Sequence, residues 1–386
     1  MIRVLTFGRY ADADFGGLER YVFELARGLQ REVHYTNIVA KRGGAPDLQM
    51  VGETVYARPW ASLADTPVCP TMAWHALTRH RRAPFDLVHL QFPADPMAHL
   101  SMALLPRSVK RVISWHSDII RQQRLLALYR PLLDRLVRSA DAIIAATPAH
   151  ISSSEQLSAV RDRNVFHVVP FGFDLSRFRE RPALADELRL RYGGSFLVFA
   201  LGRHVYYKGF EFLIRALVGM PDAALVLGGQ GPLTQDLARI AREAGVASQV
   251  HFVGRVPEAD LPAYYHACDV FCLPSVEPAE GFGIVQIEAM ASGKPVVCCQ
   301  LHNGVTWVNQ DGITGLVVPP ADPAALAAAL TRLMREPALR ARLGEQGRTR
   351  AFGVFTLEAM ARGTLSVYRS VLAGSAGLHD RPIAVL

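Results

Sequence analysis

The chain reads as an α/β protein made of two units of similar size, each a parallel sheet covered by helices. Three observations predict this. Short, continuously apolar segments alternate with helix-sized amphipathic ones, as strands buried on both faces require. The alternation restarts near residue 195 without any sequence repeat. At 386 residues the chain has room for two domains of ordinary size.

In order, IRVLTF opens as an apolar strand, and FGRYADADFGG is a polar loop ending in glycine. LERYVFELARGL then sets Leu18, Val22, Leu25 and Leu29 on one helical face. Buried-type strands follow at 86–92, 111–116, 141–147 and 166–172. The second unit shows the same strand type at 195–202, 223–229, 250–256, 269–275 and 294–299, with helical segments such as GFEFLIRAL between them. The boundary falls in the polar, proline-ended stretch FGFDLSRFRERP. This places an N-terminal unit at 1–172 and a second unit at 173–355. TLEAMARGTLSVYRSVL, within 356–373, is an amphipathic helix expected to cross back to the first unit. Residues 374–386 carry no pattern and are expected to fray.

Composition narrows the function classes. No apolar run approaches the ~20 residues of a membrane span, and the opening strand leaves no secretory h-region. The five cysteines are odd in number. Cys268 and Cys272 stand at a metal-pair spacing, but no second pair accompanies them, so reduced structural thiols in a cytoplasmic protein are expected. The net charge of +7 is uneven: residues 1–172 hold 21 Lys+Arg against 15 Asp+Glu, with eight basic and two acidic residues in 107–138 alone. Nucleic acid, an anionic membrane or a phosphorylated substrate could each be the partner.

Ligands of open α/β sheets bind beyond the carboxyl ends of the strands, so the loops there are where chemistry is sought. Gly16 and Gly17 sit at such a point, where side-chain-free amides could approach a phosphate or simply make a turn. In ALGRHVYYKGFEFLI, Arg203 and Lys208 lie between strand and helix. They could grip a diphosphate or merely be solvated. GFGIV, from Gly281, should open a helix whose N–H groups receive an anion. Glu280 precedes that start and Glu288 lies one to two turns inside, too far apart for an acid/base pair on one face. Carboxylates beside an anion site suit a ligand with hydroxyls next to its phosphates, although Glu288 alone could be an ordinary helix glutamate. His116 ends a first-unit strand; a lone histidine is often structural, but this position favours a site role. No G-x-G-x-x-G follows a strand.

These residues together resemble the retaining glycosyltransferases of family 4, which have the GT-B fold. The matching segments are Gly16–Gly17–Leu18–Glu19, His116, PFGFD at 170–174, GR-x4-KG at 202–209, GGQGP at 228–232 and HFVGRV at 251–256. To these are added EGFGIVQIEAM with both E-x7-E glutamates and NQDGITGLVVPPAD at 309–322. The resemblance spans essentially the whole chain. It implies two Rossmann-like, doubly wound domains facing each other across a cleft, the N-terminal one binding acceptor and the C-terminal one the nucleotide-sugar donor. On the matching positions, Glu280 would bind hydroxyls of the transferred sugar and Glu288 the ribose. Arg203 and Lys208 would neutralise the leaving diphosphate, with an amide from Gly17. The amides around Phe282, Gly283 and Ile284 would hold sugar and phosphate oxygens, Gly254, Arg255 and Val256 would line the base, and His116 would sit by the donor sugar. No metal and no cofactor is implied.

One departure matters. Where the family often has Gly-Gly-x-x-Glu, this chain reads LHNGVTWVNQDG, with Asn303, Gly304, Val305 and Thr306 in that place. SWHSDIIRQQ and NGVTWVNQDG look most like mannosyl- and deoxymannosyl-transferring members that build bacterial surface polysaccharides. That implies a GDP-sugar rather than a UDP-sugar, and a polyprenyl-diphosphate-linked or oligosaccharide acceptor. RQQRLLALYRPLLDRLVR places Leu125, Leu128, Leu132 and Leu136 among arginines. It reads either as a core helix with a solvated side or, through Arg121, Arg124 and Arg130 with Arg79, Arg81 and Arg82, as a patch for the acceptor or the inner face of the cytoplasmic membrane. The competing readings are a UDP-sugar-dependent transferase, a GT-B epimerase or phosphorylase, a non-catalytic sugar-nucleotide-binding subunit, and a nucleic-acid binder. The last has no recognition motif behind its basic patch.

Overall fold

A computed structural model describes residues 1–10, 17–40, 50–63, 66–93, 96–119, 123–192 and 195–374. Gly16, Arg121 and the tail from 375 therefore lie outside the described residues, as does the side chain of Arg124. The chain divides into two units, one of Met1–Gly172 with the chain from Leu357, the other of Phe173–Thr356.

The first unit contains strands β1 (Ile2–Tyr10), β2 (Val33–Ala40) and β3 (Glu53–Ala57). A small antiparallel pair follows, β4 (Ala61–Leu63) with β5 (Thr66–Val68). Then come β6 (Leu87–Phe92), β7 (Lys110–Trp115), β8 (Ala142–Ala145) and β9 (Phe166–Val168). The main sheet is parallel throughout, in the order β3-β2-β1-β6-β7-β8-β9. Successive residues feed opposite faces. Val4, Leu87, Val112 and Ile144 pack with Leu25 and Leu29 of helix Gly17–Leu29 and with Met360, Val367 and Tyr368 of helix Leu357–Leu372. Leu5, Val88, Ile113 and Ile143 pack on the other face with Met72, Met102 and Leu133.

In this unit β2, β3 and the β4–β5 pair were not foreseen, nor in the second unit was the last strand, Gly315–Val318. HYTN puts polar residues where a strand should be apolar, but Asn37 is satisfied inside the sheet: it accepts from Thr6 Oγ1 at 2.7 Å and donates to the Val51 carbonyl at 2.9 Å. Of the leucine stripe of helix Gln123–Arg138, the side chains of Leu125 and Leu128 lie outside the described residues. In the described part Leu133, Leu136 and Val137 are buried and Leu132 is half-buried.

The second unit holds β10 (Phe196–Leu201), β11 (Ala223–Gly228), β12 (Val250–Gly254), β13 (Val270–Leu273), β14 (Val296–Cys299) and β15 (Gly315–Val318). They form one parallel sheet in the order β12-β11-β10-β13-β14-β15. The order reverses between β10 and β13, and beyond the carboxyl ends of strands at such a reversal is where ligands of open α/β sheets bind. All five cysteines are buried thiols; burial pushes Cys268 and Cys298 up to about 12, far from the reactive thiolate range. No helix among the described residues is long and apolar enough to cross a membrane.

Candidate functional site

The loop after β10 and the loop after β13 meet at the reversal of the second sheet. Lys208 ends a single helical turn, Tyr206–Lys208, and Gly209 closes it at φ 64°. A Cβ at Gly209 would lie 2.1 Å from the Pro274 carbonyl oxygen, so glycine is required for the two loops to touch. The contact is fastened by Val276 N–H donating to the Tyr207 carbonyl at 2.9 Å. It delivers Lys208 Nζ to Glu280 Oε2 at 2.5 Å, with both side chains only 12% exposed. Ser275 Oγ donates to the same oxygen at 3.0 Å, and Oε1 has no hydrogen bond among the described residues. Lys208 and Glu280, assigned above to different parts of a ligand, are one ion pair in this state.

The neighbouring loops extend this rim. Gly202 N–H donates to the Gly228 carbonyl, His204 N–H to that of Gln230, and Gly229 N–H to that of Gly254 at 2.7 Å. The segments holding Arg203, the GGQG loop and Gly254–Arg255–Val256 are thereby joined edge to edge. Arg203 and Arg255 are both exposed, and the Arg203 guanidinium has no acidic partner among the described residues.

Beyond Glu280 the chain passes Gly281 and the buried Phe282 to Gly283, which stands at φ 68° as the cap of helix Ile284–Ala291. No side chain caps that end. The N–H groups of Ile284 and Val285 are left for an anion, while that of Gln286 donates to the Gly283 carbonyl at 3.0 Å. Gln286 holds the turn by donating to the Phe282 and Val305 carbonyls. Glu288 faces a separate set of partners: Tyr265 donates to its Oε2 at 2.8 Å and Arg177 approaches Oε1 at 3.9 Å. Burial, then Glu288, drives the Tyr265 hydroxyl well above its usual range, so it serves as a donor. The divergent 301–312 segment is used as well. Asn303 caps helix Gly304–Val308 and donates through Nδ2 to the Glu280 carbonyl at 2.6 Å. Arg350, 3% exposed, donates to the Val308 carbonyl at 3.1 Å and the Trp307 carbonyl at 2.9 Å, closing that helix from the other end.

In the first unit, Gly17 begins helix Gly17–Leu29. His116 follows β7, half-buried, stacked on Phe171 with ring centroids 5.5 Å apart and met edge-on by Tyr21 at 4.8 Å. Its Nε2 lies 2.9 Å from Gln91 Oε1. Gln91 Nε2 lies 3.3 Å from His89 Nε2, which is 2.8 Å from Ser114 Oγ, and His89 Nδ1 is 2.6 Å from the Tyr368 hydroxyl. Burial lowers His89 to about 3, and His116 adds to the depression. His116 falls likewise, by burial and then by His150. Both rings are neutral at pH 7.

The basic patch separates into used and available cations. Arg79 is paired with Glu53 at 2.8 Å. Arg130 is paired with Asp134 at 2.8 Å and also donates to the Glu155 carbonyl and Ser158. These two therefore brace the unit itself. Arg81 and Arg82 remain exposed, and on the same helix, Thr71–Arg82, Trp74 is 62% exposed. Sequence reasoning missed Tyr265, Arg177, Arg350, Gln91, His89 and Tyr368. The only local signal was that His89 and Gln91 are polar residues inside the buried-type strand at 86–92.

The pattern "Glycosyltransferase Family 4" matches residues 15–177, and "Glycosyl transferases group 1" matches 187–350. The O-antigen chain mannosyltransferase C of Escherichia coli is 29% identical over 96% of this chain and 99% of its own length. The D-rhamnosyltransferase WbpZ of Pseudomonas aeruginosa is 33% identical over 92% of each chain. A GDP-mannose-dependent phosphatidylinositol monomannoside mannosyltransferase of Mycolicibacterium smegmatis is 30% identical over 86% of this chain and 89% of its own. A sucrose-phosphate synthase structure from Thermosynechococcus elongatus superposes with a TM-score of 0.73 at 24% identity, covering 97% of this chain and all of its own, a likeness of fold alone.

Proposed function

This chain is a member of the family 4 glycosyl transferases, with their GT-B fold, and we propose the reaction it carries out. It moves mannose or a deoxymannose such as rhamnose from a GDP-sugar to a lipid-linked or oligosaccharide acceptor of a surface polysaccharide. It does so with retention at the anomeric carbon and without a metal. The observation that carries the reading is the Lys208–Glu280 pair set beside an uncapped helix start. That arrangement offers fixed positive charge to a diphosphate and a carboxylate to the adjoining sugar. Relatives whose names specify mannose, rhamnose and GDP-mannose support the donor.

In this reading Glu280 Oε1 takes a sugar hydroxyl while Oε2 stays with Lys208 and Ser275. Lys208 keeps two further N–H donors for the diphosphate, joined by Arg203 and the N–H groups of Ile284 and Val285. Glu288, held by Tyr265 and approached by Arg177, is the group that meets a ribose hydroxyl. The acceptor oxygen forms its bond to the anomeric carbon as the bond to the diphosphate breaks on the same face, and the acceptor proton passes to a diphosphate oxygen. Stabilising the charge that develops on the leaving group is then the main catalytic contribution. The membrane-facing patch is Arg81 and Arg82 with the exposed Trp74 of the same helix, since interfacial tryptophans anchor where basic residues meet anionic lipid.

The test is a thermal-shift panel of GDP, UDP and their sugars, followed by turnover. A ligand at 100 times its dissociation constant stabilises by about 2.7 kcal/mol, a rise of roughly 5–11 °C for a unit of this size. A rise with UDP and none with GDP sinks the donor assignment. An inverted product anomer sinks retention, and activity lost to a chelator and restored by metal sinks metal independence.

A further inference from the structure

Behind His116 lies a run of buried polar groups whose hydrogens have few permitted arrangements. An amide nitrogen only donates and an amide oxygen only accepts. Gln91 Nε2, 3.3 Å from His89 Nε2, therefore makes that ring nitrogen an acceptor. His89 is neutral, so its proton sits on Nδ1 and is donated to the Tyr368 hydroxyl oxygen at 2.6 Å. Ser114 Oγ, 2.8 Å from the same Nε2, donates to it too. At the other end Gln91 Oε1 must receive its hydrogen from His116 Nε2 at 2.9 Å. The second nitrogen of the His116 ring makes no hydrogen bond among the described residues. His89, Gln91, Ser114 and Tyr368 are each no more than 4% exposed, so water does not compete for these contacts.

We propose that Gln91, held by His89 and Tyr368, is a positioning residue that fixes His116 in its Nε2–H tautomer and leaves Nδ1 as a hydrogen-bond acceptor for a ligand hydroxyl. The stacking of His116 on Phe171 and the edge contact with Tyr21 fix the ring plane, and Gln91 fixes which nitrogen is bare. The ligand half of this inference rests on the transferase reading; the tautomer does not. The Tyr368 end of the run comes from the C-terminal helix, 279 residues from His89 in sequence, so that helix reaches the site through hydrogen bonds as well as packing. Reversing the Gln91 amide would reverse every hydrogen in the run, which makes the assignment open to direct measurement.

The experiment is a long-range 1H–15N correlation spectrum of the full chain labelled with 15N-histidine, in which each neutral ring shows which nitrogen carries the proton. The His116 signals are identified by their loss in His116→Gln. The expected result is Nε2–H at His116 and Nδ1–H at His89. The opposite tautomer at His116 overturns the proposal, and this wild-type spectrum decides even where a variant does not fold. Gln91→Glu, which can accept but not donate, should keep His116 as Nε2–H and switch His89 to Nε2–H; an unchanged His89 overturns Gln91 as the link. In turnover, Gln91→Leu should lower kcat roughly 3- to 10-fold, the scale of one misaligned neutral hydrogen bond, and Gln91→Glu should recover part of it. Full activity in His116→Gln would remove His116 from the ligand and leave the tautomer standing, whereas a wrong tautomer would leave the transferase reading standing.

Discussion

Lys208 and Glu280 can be tested as a pair through Lys208→Met and Glu280→Gln, made singly and together. At 2.5 Å, and with an effective dielectric of ~20, the Coulomb attraction is about 7 kcal/mol. Taking two charges out of water to 12% exposure offsets most of it, so the net contribution of the pair is small. Removing one partner is different, because the other is left enclosed and uncompensated. For fully buried pairs that costs ~3–5 kcal/mol, and the Ser275 hydroxyl still donating to Glu280 puts this site near the low end, at about 3 kcal/mol. Each single variant should melt roughly 6–12 °C below wild type, while the double variant should return to within about 1 kcal/mol of it. Turnover should not follow stability: all three variants should lose roughly 10²-fold in kcat, the scale of one preorganised donor. Melting shifts that simply add, within about 0.5 kcal/mol, would refute the ion pair. Recovery of turnover in the double variant would show that the two groups serve only to neutralise each other.

Arg350→Met should cost about 2–3 kcal/mol, the scale of charge-assisted bonds such as those Arg350 makes to Trp307 and Val308. It should raise donor KM by loosening the helix that Asn303 caps. Arg350→Lys should not rescue either effect, because an ammonium cannot span both carbonyls as the planar fork does; melting and steady-state kinetics check both. Acid should destabilise the first unit. Burial holds His89 and His99 at about 3 when folded against 6.5 when unfolded, so between those values the unfolded chain binds more protons. The stability of neutral burial is complete above pH ~6.5 and drains as pH falls, by up to roughly 3 kcal/mol per pH unit for the two rings. A melting temperature that stays flat from pH 7 to 4.5 would contradict this. Anionic vesicles should sediment the protein at low salt and release it at high salt, and Trp74→Ala should weaken retention at low salt; equal retention of that variant removes Trp74 from the patch.

Most inner strands were legible because a strand buried on both faces is a run of apolar residues. FLVFAL and VVCC could scarcely be anything else. β2 escaped because Thr6 and the Val51 carbonyl satisfy the buried Asn37 inside the sheet, an arrangement that leaves no periodicity to read. Contacts short in sequence were legible in the same way. Glu280 and Glu288 share one loop and helix, so their spacing carried information. The Lys208–Glu280 pair spans 72 residues and His89–Tyr368 spans 279. Pairings of that kind are set by strand order and helix docking, and neither is encoded in local pattern.

Both units reverse strand order next to their first strand, yet they gather different chemistry at their strand ends. In the second, the loops after β10 and β13 collect permanent charge: Lys208 and Glu280 are paired with each other, and Arg203 is exposed. A diphosphate that gains charge as its bond breaks calls for such fixed countercharge. In the first, Gln91 and His89 lie within β6 and Ser114 within β7, so burial strips the histidines of charge and leaves direction as their only property. A neutral acceptor in a fixed tautomer distinguishes a hydroxyl from an anion, which a cation in the same place would invite. The twofold use of one topology is thus a division by charge, set by whether the functional groups stand on the loops or inside the strands.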